Sequence, residues 1–233
     1  MKKRLFSIIT ALALCLTLLP ATALAATNVT YYYWDSSAKQ LKQANCSNAT
    51  EVTGSDTSWG TDGTTTWYVA QGKVDINGRV EVKGHVHLIL ADNCCLTINN
   101  GIMVFDQTPA NTSLTIYGQS DPVLNGDGTL NGESTITGKL IADASWLEAP
   151  YTGIGPAAGT VACQLTINGG VITAKGASAD PDKSGAGIGC ATTINGGYVE
   201  ATGGTGGAGI TGHDITINGG TVKATGGTGS AGI

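Results

Sequence analysis

Short runs in which apolar and polar residues alternate recur along nearly the whole chain, separated by glycine and asparagine. The pattern is clearest from Leu165 to Ile233. There one phrase is written three times: Thr166-Ile167-Asn168-Gly169-Gly170, Thr193-Ile194-Asn195-Gly196-Gly197 and Thr216-Ile217-Asn218-Gly219-Gly220. Each copy is followed by a second alternating run, Val-Ile-Thr-Ala, Tyr-Val-Glu-Ala or Thr-Val-Lys-Ala. Weaker copies extend the series to Ile76, Ile98, Ile116, Ile136, Ile167, Ile194 and Ile217. Side chains on a strand alternate between faces, so these isoleucines point inward and the preceding Asp75, Thr97, Thr115, Thr135, Thr166, Thr193 and Thr216 point outward. A second inward set is Val80 and Val82, Leu140 and Ala142, Ile172 and Ala174, Val199 and Ala201, and Val222 and Ala224. A third falls on Ile154, Ile188, Ile210 and Ile233, within a recurring Gly-Ala-Gly-Ile phrase.

Helical periodicity is absent. Short strands, glycine corners and a period of about 20–23 residues predict an all-β fold, a right-handed parallel β-helix (solenoid) with an N-terminal cap. Asn77, Asn99, Asn168, Asn195 and Asn218 stand at its corners, where each amide is placed to bond to the copy in the next coil. The residues divide into a signal peptide (1–25), a cap region (26–72) and the parallel β-helix (73–233). The repeat is still running at Ile233, so the expectation is a chain truncated at its C-terminus.

The first 25 residues read as a secretory signal: Lys2-Lys3-Arg4, the apolar run Leu5 to Leu19, then Ala23-Leu24-Ala25. Removing those three basic residues leaves nine Lys and Arg against 17 Asp and Glu, a net charge of −8. That balance argues against nucleic acid as a partner. No later stretch reaches the ~20 apolar residues of a membrane-spanning helix, so no membrane insertion is expected.

Residues 27–72 carry Tyr31-Tyr32-Tyr33-Trp34, Trp59 and Trp67-Tyr68. Bulky aromatics there fit the cover that the first coil of a solenoid needs over its core and edges; a sugar-stacking platform is the alternative. Insertions in a solenoid project to one side, often the binding side. Asp121 to Gly132 and Ser145 to Thr160 are such insertions, and Trp146 and Tyr151 on the second are the leading ligand contacts, with Tyr198 on the repeat itself. Asp180, Asp182 and Ser184, in Asp-x-Asp-x-Ser-Gly, resemble the first half of a calcium loop, but Ala191 stands where the bidentate Glu is needed. His85 and His87 share a strand face with no third ligand indicated. No other cofactor is expected.

Cys163 and Cys190 each precede their isoleucine by four residues, as Cys94 does. Adjacent coils lie ~4.8 Å apart, which permits a Cys163–Cys190 bridge. Buried, unbridged thiols are the preferred reading.

Taken together, Trp67-Tyr68-Val69, the run His85 to Asp92 followed by Cys94 and Leu96-Thr97-Ile98-Asn99, Leu114 to Ser120 and the glycine repeats resemble the glycine-rich secreted β-helix proteins of Gram-positive anaerobes. Those are labelled carbohydrate-binding domain-containing proteins, within the pectin-lyase-like superfamily. The resemblance covers Tyr31 to the end. It implies a secreted or cell-surface module whose partner is a polysaccharide or cell-surface glycan, joined in such relatives to further surface-attachment modules.

The superfamily also holds polysaccharide lyases and hydrolases. A lyase needs a base beside a calcium-bound acidic sugar, and the mature chain has a single arginine, Arg79. A hydrolase needs paired carboxylates, for which Asp92 and Asp106 are the nearby candidates. The expectation is a non-catalytic binder of extended polysaccharide, with a stalk or adhesin scaffold as the alternative.

Overall fold

The computed structural model describes residues 28–104, 112–132, 136–148, 150–156, 163–178 and 185–233. Sixteen strands run through them: β1 (Val29–Asp35), β2 (Gln40–Cys46), β3 (Thr50–Glu51), β4 (Ser58–Ala70), β5 (Lys73–Ile76), β6 (Val80–Leu90), β7 (Cys95–Ile98), β8 (Ile102–Val104), β9 (Ser113–Gly118), β10 (Lys139–Asp143), β11 (Gln164–Ile167), β12 (Val171–Lys175), β13 (Ala191–Ile194), β14 (Tyr198–Thr202), β15 (Ile215–Ile217) and β16 (Thr221–Thr225). Thirteen or fewer residues each, they are too short to stand alone and depend on lateral pairing.

Two parallel sheets result. One has eight strands, in the order β15-β13-β11-β9-β6-β4-β3, with β8 also on β6; the other has six, in the order β16-β14-β12-β10-β7-β5. A third parallel row is made by single bridges, Ile102 to Ile154, Ile154 to Ile188 and Ile188 to Ile210. The chain visits them in rotation: β11, then β12, then Ile188, then β13 one step further on. Each sequence repeat thus places one strand in each sheet and one isoleucine in the third row.

The core is the set of inward columns. In the eight-stranded sheet Leu88, Ile116, Ile167 and Ile194 stack in register and are fully buried. Opposite them run Ile98, Ala142, Ala174 and Ala201. Larger aliphatics on one wall face mainly alanines on the other and fill the space between, and each fully buried isoleucine contributes about 1.5–3 kcal/mol relative to an exposed one.

The asparagines form two ladders. Asn99 Nδ2 donates to Asn77 Oδ1 at 2.9 Å. Asn195 donates to Asn168 and Asn218 to Asn195, both at 2.8 Å. The glycines after the second ladder turn the chain between sheets with positive φ: Gly170 at 88°, Gly197 at 85° and Gly220 at 81°. An added Cβ on Gly197 would lie 2.6 Å from Gly170 O, so the corner accepts only glycine.

Several column assignments differ from the sequence expectation. Ile76 and Ile98 lie in the six-stranded sheet, aligned with Ala142, because β5 pairs with β7 and β7 with β10; Asp75-Ile76 and Thr97-Ile98 only imitate the Thr-Ile-Asn phrase locally. Val80 aligns with Ile102 in the third row. Ile136 is not inward: it is 51% exposed, and Ile116 pairs directly with Ile167 across the whole intervening segment. The parallel ladder also starts earlier than residue 73, since β3 and β4 already belong to it.

Cys163 and Cys190 are joined in a disulfide with Cα atoms 4.9 Å apart, against the expectation of free thiols. Parallel neighbours in register are already within bridging distance, so no backbone movement is needed. Cys46, Cys94 and Cys95 are free, and burial pushes the Cys94 thiol up to about 11.

Candidate functional site

The outer face of the eight-stranded sheet carries a straight row of in-register residues: Trp67, His87, Thr115, Thr166, Thr193 and Thr216. Beside it runs a second row, Thr65, His85, Ser113, Gln164 and Ala191. At ~4.8 Å per strand the first row spans roughly 24 Å. Apart from the two histidines, neither row holds an ionisable side chain. The outer face of the six-stranded sheet carries Lys73–Asp75, Lys175–Asp143 and Lys223–Glu200 ion pairs, and β6 carries a Lys83–Glu81 pair outside these two rows.

One end of the threonine row is aromatic. The Trp67 and His87 rings stack at 4.2 Å with an interplanar angle of 14°. Tyr117 lies nearly parallel to both, and its hydroxyl meets His87 Nδ1 at 2.7 Å. Tyr31 packs on Trp67 at 5.1 Å and edge-on to Tyr117 at 4.7 Å. Desolvation, then the neighbouring His85, holds the His87 pKa below its ordinary value, so the imidazole is neutral at pH 7.

Tyr31 comes from the antiparallel β1–β2 hairpin, which lies against the flank of the parallel sheets. Val29 and Cys46 at its open end pack with Ala49, Val69, Ile89 and Tyr117. That cover explains why Ile89 and Tyr117 are buried despite their outward positions. Gln119 ties the hairpin to the sheet: its Nε2 donates to Thr30 O at 2.9 Å, while its Oε1 accepts from Asp92 N at 2.8 Å. Leu41, near the hairpin turn, reaches the Gly196 corner, where an added Cβ would stand 2.9 Å from Leu41 Cδ1. The hairpin thus extends from the first coils to the Asn195-Gly196-Gly197 corner, walling one side of the threonine face.

The aromatic residues singled out in the sequence fall elsewhere. Trp146 is 65% exposed, and its indole N–H donates to Asn99 O. Tyr151 is half-buried, with the Arg79 guanidinium 4.4 Å above its ring centroid. Arg79 Nη2 also donates to Gly155 O at 3.1 Å. Burial lowers its pKa to about 10, which leaves it protonated at neutral pH. These residues share the corner after the six-stranded sheet, joined through the Asn99–Asn77 ladder. Tyr198 is not with them. It begins β14 at the opposite end of that sheet and is 8% exposed, so its ring offers little surface to a ligand.

Asp180, Asp182 and Ser184 lie outside the described residues, as does Asp106. Among the described residues no three His, Cys, Asp or Glu side chains are grouped to hold a metal. His85 and His87 each use Nδ1 on a hydroxyl, Ser113 Oγ at 2.9 Å and Tyr117 OH. Asp92 Oδ1 accepts from Ser120 Oγ at 2.7 Å, within the network that anchors the hairpin. Tyr117 and Leu41 were not among the sequence candidates, and Trp67 was one only as part of the alternative sugar-stacking platform. The available signal was the alternation Thr65-x-Trp67-x-Val69 beside His85-x-His87-x-Ile89, which places Trp67 on the His87 row once the two strands are paired.

No curated protein and no solved structure matches the chain. The repeats do find a family: residues 165–192, 193–210 and 215–233 match the model described as beta helix repeat. The matched residues hold strands β11 to β16 of the two parallel sheets and the third-row residues Ile188 and Ile210.

Proposed function

We propose that the protein is a secreted, non-catalytic β-helix module that binds an extended, uncharged polysaccharide along its threonine face. The observation that carries this reading is the charge-free row Thr115, Thr166, Thr193 and Thr216, continuous with the Trp67–His87 stack. A periodic row of hydroxyls suits a polymer of repeating sugar units, each hydroxyl able to donate and accept. An indole edge at the row's end offers apolar surface to a sugar's C–H face. The acidic net charge of −8 after removal of the leader disfavours uronic polymers.

In this reading the three ladders close into a right-handed solenoid, as parallel crossovers do, and the capping expected of residues 26–72 falls to β3 and the start of β4, which end the ladder on its N-terminal side. Trp59, fully buried against the first core layer with Val52, suits that task. Secretion is supported by the signal-like residues 1–25 and by the Cys163–Cys190 disulfide, which belongs in an oxidising compartment. The resemblance to glycine-rich carbohydrate-binding proteins of Gram-positive anaerobes points the same way. Trp146 and Tyr151 form a second, smaller contact area on the far corner.

A glycan microarray on residues 26–233, run with and without EDTA, tests the reading. The expected outcome is a signal on neutral extended polysaccharides that EDTA leaves unchanged. A signal confined to uronic polymers and removed by EDTA would move the site to Asp180 and Asp182. Silence in both conditions would make the module a stalk or adhesin scaffold.

A further inference from the structure

Where the hairpin ends, the structure forms a cleft of about 200 Å³. Three separately anchored pieces line this open cleft. Leu41 comes from the hairpin, whose register to β1 places it opposite Trp34 next to the turn. Pro122 and Leu124 come from the arm after β9, which is stiffened by the Leu124–Leu130 bridge and by Asn125 N bonding to Thr129 O at 2.8 Å. The floor is the bare backbone of Gly196, Gly197 and Gly220. Side chains there would collide with the wall and with the next coil: a Cβ on Gly220 would lie 2.7 Å from Gly197 O.

The lining divides into an apolar side and a polar rim. Leu41, Pro122 and Leu124 make the first; Asp121 and Thr221 make the second. Asn195 also lines the cleft, but its amide is committed to the ladder, donating to Asn168 and accepting from Asn218. Recognition therefore falls to the Asp121 carboxylate and the Thr221 hydroxyl. The cleft adjoins the end of β13, two residues beyond Thr193 on the threonine row.

We propose that this cleft seats one neutral pyranose unit of the polysaccharide that lies on the threonine face; the inference rests on that reading. A pyranose has an apolar C–H face and a rim of hydroxyls, which matches three aliphatic side chains opposite a carboxylate. The two oxygens of the Asp121 carboxylate can accept hydrogen bonds from two sugar hydroxyls at once, and a carboxylate there disfavours a uronic acid. A cleft of this size holds one ring and not two, so it selects a terminal or branching sugar at this point, while the threonine row holds the polymer's length.

Saturation-transfer NMR and calorimetry with methyl β-D-glucopyranoside, methyl β-D-galactopyranoside and D-galacturonic acid test this on the full chain. The expected result is millimolar binding of a neutral glycoside, no binding of galacturonic acid, and a loss of about tenfold in Asp121→Ala, the scale of a hydrogen bond to a charged group. Thr221→Ala, at a part-exposed position, checks the other polar contact and should weaken binding severalfold. Circular dichroism of both variants should match the wild type. A neutral glycoside bound equally well by Asp121→Ala overturns the site. Polysaccharide binding on the array with no glycoside binding overturns the cleft alone and leaves the threonine face standing; silence in both assays overturns both.

Discussion

The Cys163–Cys190 disulfide closes a loop of 27 residues and joins neighbouring strands β11 and β13 at their starts. In the chain-entropy account such a loop removes about 12 cal/mol/K from the unfolded ensemble, or about 3.5 kcal/mol at 25 °C. Both cysteines are only 1% exposed, so the sulfurs already pack as core atoms and the native contacts survive reduction with little change. The clean comparison is therefore the wild-type chain in two redox states. One sample is refolded from urea with its thiols reduced and kept so by a phosphine; the other is left oxidised. Urea titrations followed by circular dichroism should place the reduced form about 3.5 kcal/mol lower. Folded oxidised protein should resist the phosphine, because attack requires the strand starts to open. A difference under about 1 kcal/mol would refute the reasoning, since the bridge would then be restricting the unfolded ensemble far less than a loop of this length requires.

Asn195→Ala removes one ladder bond and strips the acceptor from Asn218, so it should cost about 1–3 kcal/mol in the same titration; a cost below about 0.5 kcal/mol would show the ladder to be decorative. Gly197→Ala forces a side chain into positive φ and against Gly170 O, and should destabilise by more than about 1 kcal/mol, measured as a fall in the urea midpoint. The His87 pKa is depressed in the folded state, chiefly by desolvation, so the unfolded chain takes up the proton first. Its stabilising contribution is complete above the unfolded value near 6.5 and is lost as pH falls from there through the folded pKa. His87→Gln should flatten that part of the stability–pH curve, and an unchanged slope would remove His87 from the account.

Periodicity made much of the fold readable. The Thr-Ile-Asn-Gly-Gly copies align residue for residue from Ile167 to Ile217, and the Gly-Ala-Gly-Ile copies supply the third row. Alternation tells which face a side chain takes, but not which sheet the strand joins. Asp75-Ile76 and Thr97-Ile98 therefore read as members of a column they do not enter, and Ile136, lacking a partner strand, points to solvent. The site was less legible because it depends on contacts between distant segments. Only the docked hairpin brings Tyr31 onto Trp67 and Tyr117, and Leu41 onto Gly196. Tyr198 looked available from its place in the repeat, yet its neighbours in the stack bury it. The disulfide was readable as a possibility from coil spacing, and the register of β11 against β13 decides it.

The most direct measurement is the affinity of a Thr166→Lys/Thr193→Lys double variant for whichever neutral polysaccharide the wild-type protein retains, by affinity electrophoresis or calorimetry. Both positions are part-exposed and face away from the core, so the variant should keep the wild-type circular dichroism spectrum. Long side chains in the middle of the row would break its flat hydroxyl surface, and binding should fall at least about tenfold, a change of roughly 1.4 kcal/mol. Undiminished binding by a folded variant would contradict the claim that the threonine face is where this protein meets its ligand.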